Sequence, residues 1–283
     1  MNDTEKFFFD LKGFAILKGV LTREEVDRCN AAIDAHADEI FHTERTLEGN
    51  SKVLGGTAKQ KWMEGMLAWE RPACEPFREL LVHARVQPYL NELLGGGYRL
   101  DHGPLLIAMD KGNGGHYLHG GAVERQDFSQ TYAFKFGKMF CGLTVVEFQL
   151  ADEGPGDGGL AVIPGSHKAN FPLPEKLSFY EAQREYVKEV HTQAGDAIIF
   201  TEALTHGTLV WQGGAPASHA DLQIQPRVSG ACRRLPSGAR SGLSARHDRR
   251  RARHARVAVN LRRRGGMGNT KGLLAGSCGS GTS

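Results

Sequence analysis

The sequence predicts an α+β, mainly β protein: helices gather near the N-terminus, and a sandwich or barrel of antiparallel strands follows. Three observations carry this expectation. Apolar residues recur at helical spacing only as far as residue 94, where Gly95, Gly96 and Gly97 stop the pattern. From Tyr98 to Trp211 the chain is a series of short apolar runs split by turn-forming stretches such as "DKGNGG" and "ADEGPGDGG". After Gln212 the texture changes once more, into an arginine-rich segment with no Phe, Tyr, Trp or Glu. One domain over about residues 7–212 and a basic tail over 213–283, disordered or out of frame, account for the chain.

The elements follow in order. Gly13–Leu17 reads as a short strand entering the fold. Thr22 and Glu25 have capping-box spacing, and Val26, Cys29, Ala32 and Ile33 continue at helical period towards Ile40. Residues 43–60 are polar and contain glycine, which marks a loop. A second helical stretch runs from about Glu75 to Leu94, with Phe77, Leu80, Leu81, Leu90 and Leu93 among its apolar face. Strands are expected in "YRLDHGPLLIAM" (98–109), "HYLHGG" (116–121), "LAVIPGSH" (160–167), "QAGDAIIF" (193–200) and "TEALTHGTLVW" (201–211). "FCGLTVVEFQL" (140–150) is apolar enough to be a central strand.

Charge and cysteine usage exclude several function classes. The net +3 averages two unlike parts: residues 213–283 carry fourteen basic and two acidic side chains, a net +12, against −9 for residues 1–212. The five cysteines are scattered without a CxxC pair, so neither a zinc ribbon nor a disulfide framework is expected. No apolar run approaches the roughly 20 residues that span a bilayer, and no basic stretch precedes an apolar one at the N-terminus. A soluble, cytoplasmic protein without a membrane partner is the expectation. The tail has no aromatic residues to stack on bases and no nucleic-acid motif, so no specific nucleic-acid partner is expected.

Of the twelve histidines, His119 and His206 stand out by context. His119 ends "HYLHGG", where two glycines let another group approach closely, and His206 follows "GDAIIF" by a short turn. His116 is the rival of His119, and His167 in "GSHK" reads as structural. "GDGGLAVIPGSHK" (156–168) followed by "GDAIIFTEALTHGT" (195–208) resembles the C-terminal half of the phytanoyl-CoA dioxygenase family. "FDLKGFAILKGVLTREEVD" (9–27) resembles the N-terminal strand and helix of that family.

The resemblance implies a double-stranded β-helix (jelly roll) with N-terminal and flanking helices, and Fe(II) and 2-oxoglutarate as cofactors. It implies oxidative decarboxylation of the oxoacid coupled to hydroxylation of a small-molecule substrate. Two imidazoles and one carboxylate hold the iron in such proteins, leaving open positions for the oxoacid and O₂. Carried over, His206 is the distal ligand, His119 the first ligand, and Thr208 the hydroxyl that helps bind the oxoacid carboxylate.

Two positions depart from the pattern. Gly121 stands where the carboxylate of His-x-Asp belongs. Either Glu124 or Asp127 reaches back as third ligand, or the position is vacant as in halogenating relatives, or iron is not held productively. The second departure is Ala217, which occupies the place of the arginine expected nine residues after Thr208. Reading "GAPASHADLQIQPRVS" from Gly214 one nucleotide later permits "EHQRRTLIYKFSPG" and then a stop within Val228–Ser229. That ending sets an arginine in the slot of Ala217, so a one-base slip near Gln212–Gly214 is the favoured account of the tail. The other account is a genuine basic extension on a catalytically silent binding module, with acidic partners or RNA as its contacts.

Overall fold

The computed structural model describes residues 1–42, 53–56, 60–121, 130–214 and 217–225, the last as a backbone strand. An asparagine opens the first helix: Asn2 and Glu5 form a capping box ahead of α1 (Asp3–Lys12), and Gly13 closes it in the left-handed conformation. The sequence reading places no helix here, although Asn2-x-x-Glu5 and Gly13 carry both end signals. β1 (Phe14–Leu17) follows, then α2 (Arg23–Asp34), capped by Thr22 and Glu25 as expected. It ends short of Ile40. His36 turns its ring onto Trp69, with centroids 3.9 Å apart, and its Nδ1 donates to Ala32 O at 2.8 Å.

The stretch expected as one helix over 75–94 is two, α3 (Glu75–Leu80) and α4 (Gln87–Leu94). Pro88 is the reason. It lacks the N–H a continuous helix needs and crowds the turn before it, so it is tolerated only in a first turn. The short α5 is Glu175–Ser178.

The strands are β2 (Phe41–His42), β3 (Lys61–Glu64), β4 (Arg99–Leu100), β5 (Leu105–Met109), β6 (His116–His119), β7 (Tyr132–Lys135) and β8 (Lys138–Cys141). They continue with β9 (Thr144–Gln149), β10 (Gly159–Val162), β11 (Lys188–Glu189), β12 (Ala197–Thr201), β13 (His206–Leu209) and β14 (Ala217–Gln225). The larger sheet runs β1-β12-β9-β14-β5-β3-β2, with β4 pairing the far end of β14. The smaller runs β11-β10-β13-β6, and β7-β8 is a separate hairpin. The pairings are antiparallel.

Alternation along β9 shows how the layers stack. Val146 and Phe148 join the core beneath the helices with Val26, Cys29, Phe77, Leu80, Leu90 and Leu93. Val145 points the other way and meets Leu160 and Val162 of the smaller sheet, together with Ile198, Phe200 and Leu204. The central strand is therefore covered on both faces, which is why its sequence reads as one apolar run. The cysteines Cys29, Cys74 and Cys141 are buried thiols. Among the described residues, no helix is long and apolar enough to cross a membrane.

The larger sheet extends past the 7–212 limit drawn from composition. β14 lies between β9 and β5, with Leu222 in register with Val146 and His219 with Ile107. Ladder hydrogen bonds join backbones and are blind to side chains, and Ala220, Leu222 and Ile224 alternate as a half-buried strand requires. Composition alone does not reveal such a strand.

Candidate metal centre

The two histidines singled out by context face one another across the smaller sheet. β6 and β13 are antiparallel neighbours, with His119 in register with His206 and His116 with Thr208. The rings of His119 and His206 lie 4.2 Å apart between centroids. Gly207 makes the approach possible: a Cβ there would stand 2.7 Å from His116 O and 2.8 Å from Tyr117 O. The Gly of "HGT" is thus a requirement of strand spacing.

The third group is Glu202, which the sequence reading missed. It sits in the turn between β12 and β13, closed by Leu204 N donating to Thr201 O at 2.8 Å. One ligand atom from each of His119, Glu202 and His206 lies within 4.8 Å of the others. Glu202 Oε2 is 3.8 Å from His206 Nε2. Gly120 lets the turn close, because a Cβ at its position would stand 2.5 Å from Leu204 O. Its neighbour Gly121 has φ +96°, a conformation that strains any L side chain, so the backbone here does not favour an aspartate. Of the expected third ligands, Glu124 and Asp127 lie outside the described residues. The signal that would have found Glu202 was the carboxylate four residues before His206 inside "TEALTH".

Backbone carbonyls set the tautomers. His119 Nδ1 donates to Tyr117 O at 3.1 Å and His206 Nδ1 to Leu204 O at 2.8 Å. Each ring therefore carries its lone pair on Nε2, the form that binds a metal. Burial, reinforced by His206 and His116, depresses His119 to about 3. Burial likewise depresses His206 to about 4. Both imidazoles are neutral at pH 7 and compete with no proton for a cation. Two imidazoles and a carboxylate within mutual reach form a donor set that suits Fe(II). Thr208 follows His206 by two residues on β13 and shares its face, half-buried.

His167 is elsewhere and structural in its contacts. Buried in the turn after β10, it donates from Nε2 to Asp10 O at 3.0 Å and packs edge-on to Tyr132. Asp10 also accepts from Tyr132 Oη and from Lys168 Nζ, the latter at 2.7 Å. The turn ties back to the centre through Ser166 Oγ, which accepts from Thr205 N at 2.7 Å.

Residues 9–212 match the phytanoyl-CoA dioxygenase family. The chain belongs to this family. Members of this dioxygenase family use Fe(II) and 2-oxoglutarate. No curated protein matches the chain in sequence. Among solved structures, HygX from Streptomyces hygroscopicus with nickel and 2-oxoglutarate bound aligns with a TM-score of 0.65 at 23% identity, covering 80% of this chain and 87% of that one. HygX with iron bound aligns with a TM-score of 0.64 at 22% identity, covering 80% and 87%. The 2-oxoglutarate-dependent epimerase SnoN from nogalamycin biosynthesis gives 0.56 at 18% identity, covering 86% and 90%. At these identities the likeness speaks to the fold.

Proposed function

We propose that this protein is an Fe(II)- and 2-oxoglutarate-dependent oxygenase acting on a small molecule, with iron held by His119, Glu202 and His206. The observation that carries the reading is the convergence of these three side chains from β6, the β12–β13 turn and β13. The two packed antiparallel sheets fit the double-stranded β-helix of such enzymes. When bound, iron with the oxoacid and O₂ supplies the oxidising chemistry. The chain's part is to hold Nε2 of His119 and His206 by fixing their Nδ1 atoms, to set one carboxylate beside them, and to offer the Thr208 hydroxyl to the oxoacid. A carboxylate from Glu202 supports oxygenation over the halide-binding variant that Gly121 alone raised. HygX has been crystallised with hygromycin B and SnoN with nogalamycin RO, which supports a small-molecule substrate here.

The test is an anaerobic Fe(II) titration of the full chain beside His119→Ala, Glu202→Ala and His206→Ala. Each variant should bind at least about tenfold more weakly, in line with lost site partners. Iron binding unchanged in all three, or absent from the parent, would overturn the assignment.

We also propose that the chain beyond Gln212 records a one-base slip in its reading frame. The family match stops at residue 212. The register of β14 sets Asp221 opposite Glu147, a buried acid, and like charges directly opposite destabilise a sheet. The shifted reading replaces that acid with isoleucine and puts an arginine in the slot of Ala217, at the start of β14. Resequencing the gene around Gln212 tests this directly. A chain carrying the shifted ending should form succinate from 2-oxoglutarate faster than the present one, and equal rates would count against the slip.

A further inference from the structure

The β7–β8 hairpin carries three exposed aromatic rings within the seven residues "FKFGKMF" (134–140). Phe134 is 62% exposed, Phe136 96% and Phe140 48%. The cross-strand register gives their directions. Phe134 lies opposite Met139 and shares the face of Tyr132 and the buried Cys141. Phe140 lies opposite Ala133 on the other face, and Phe136 occupies the tip. At the tip φ is +53°, a conformation that suits asparagine or glycine better than an aromatic residue. The turn itself does not call for this ring.

The surface continues onto α1. Tyr132 Oη donates to Asp10, and Asp10 and Phe134 line one cleft of about 380 Å³. Phe7, one turn before Asp10, is 63% exposed. Phe8 beside it is exposed as well, with Lys12 Nζ 4.6 Å from its ring centroid. The charge here is one-sided. Lys135 and Lys138 are both exposed and stand directly opposite one another, where like charges repel. Among the described residues neither lysine is in an ion pair. Asp10, the acid beside them, is already bonded to Lys168 Nζ at 2.7 Å.

We propose that the β7–β8 hairpin is a membrane-surface anchor: Phe136, flanked by Phe134 and Phe140, enters an anionic bilayer, and Lys135 and Lys138 meet its headgroups. Large exposed apolar patches mark surfaces for a partner or a membrane. Two observations favour lipid. The rings point to both faces of the hairpin and off its tip, so a flat protein partner would cover some and leave the others in water. A fluid layer surrounds them all. Lysines set just behind an apolar tip also match a bilayer, which is apolar within and anionic at its surface. The expectation of no membrane partner rested on missing spans and leaders, which a surface anchor does not need. The proposal is independent of the metal assignment.

The test uses the full chain with vesicles of phosphatidylcholine, alone or mixed with phosphatidylserine. In Phe136→Trp, lipids brominated in their acyl chains should quench the introduced indole, beyond any quenching of the tryptophans of the parent. The basic segment after Gln212 would adsorb to anionic vesicles by charge alone, but that leaves the hairpin tip in water and cannot mimic this signal. Phe136→Asn should bind the mixed vesicles at least about tenfold more weakly, the effect of withdrawing one buried phenyl ring. Lys135→Gln combined with Lys138→Gln should lose about thirtyfold on the mixed vesicles and little on the neutral ones. Quenching no greater than in the parent, or binding of Phe136→Asn as tight as that of the parent, would overturn the proposal. So would a vesicle-free dimer, seen by sedimentation, that Phe136→Asn dissociates, because that result assigns the surface to a second copy of the chain.

Discussion

Gly13 joins the N-terminal helix to the turn that supports the candidate metal centre, and replacing it with alanine separates two costs that usually come mixed. The residue has φ +85° and ψ 1°, and its N–H donates to Phe9 O at 2.7 Å as the cap of α1. A Cβ there would stand 2.6 Å from His167 Nδ1 and 2.9 Å from Leu204 Cδ1. His167 is held by its bond to Asp10 O, so it cannot swing away cheaply. The left-handed backbone costs an L residue about 1–2 kcal/mol. Overpacking a closed site adds about 1–3 kcal/mol. Gly13→Ala should therefore lose roughly 2–5 kcal/mol by these two effects together. Gly65 supplies the control: it has φ +91° and ψ 1°, and nothing lies within 4 Å of a Cβ built there. Gly65→Ala should lose only the backbone cost, about 1–2 kcal/mol. Urea unfolding followed by tryptophan fluorescence measures both, with unchanged m-values as the check that native compactness is retained. Losses equal within about 0.5 kcal/mol would refute the claim that the His167 contact matters at Gly13, since distant effects are resolved to that level.

Four further outcomes are expected. Gly207→Ala sets a Cβ 2.7 Å from Tyr180 Oη and from His116 O, so it should part β6 from β13 and abolish Fe(II) binding in a calorimetric titration. Thr208→Val should weaken 2-oxoglutarate binding about ten- to hundredfold, as loss of a hydrogen bond to a charged group does, with Fe(II) affinity unchanged. Burial holds the folded His167 near 4, below its ordinary 6.5, so the unfolded chain binds more protons in that window. Its contribution is present above about pH 6.5 and lost as pH falls towards 4, and metal-free protein should show falling urea midpoints over that range. Finally, Phe136 sits at the tip of the β7–β8 hairpin with φ +53°, beside Gly137 at +73°, and is 96% exposed. Asparagine suits that turn far better, so Phe136→Asn should stabilise by about 0.5–1 kcal/mol in the same urea assay.

The strands around the centre were legible because glycine and apolar runs mark them without ambiguity. "GDAIIF" and "THGTL" appear as β12 and β13, and Thr22 with Glu25 caps α2 as its spacing requires. The failures have local physical causes. A single proline, Pro88, divides a pattern whose apolar period runs on unbroken. Glu202 escaped the sequence reading because its approach to the histidines depends on the Gly120 contact, which is a matter of space and not of spacing; Glu124 and Asp127 lie outside the described residues.

β14 bears on how the molecule is assembled over time. Among the described residues it is the last strand of the larger sheet in chain order, yet it lies in the middle, between β9 and β5. Until residues 217–225 arrive, that sheet exists as two halves, β1-β12-β9 and β5-β3-β2, with the edges of β9 and β5 awaiting their partner. During synthesis the halves must wait with those edges open, and closing them is the slow, long-range step. A chain cut at Gln212 would keep every proposed iron ligand and still lack the seam that joins its two halves.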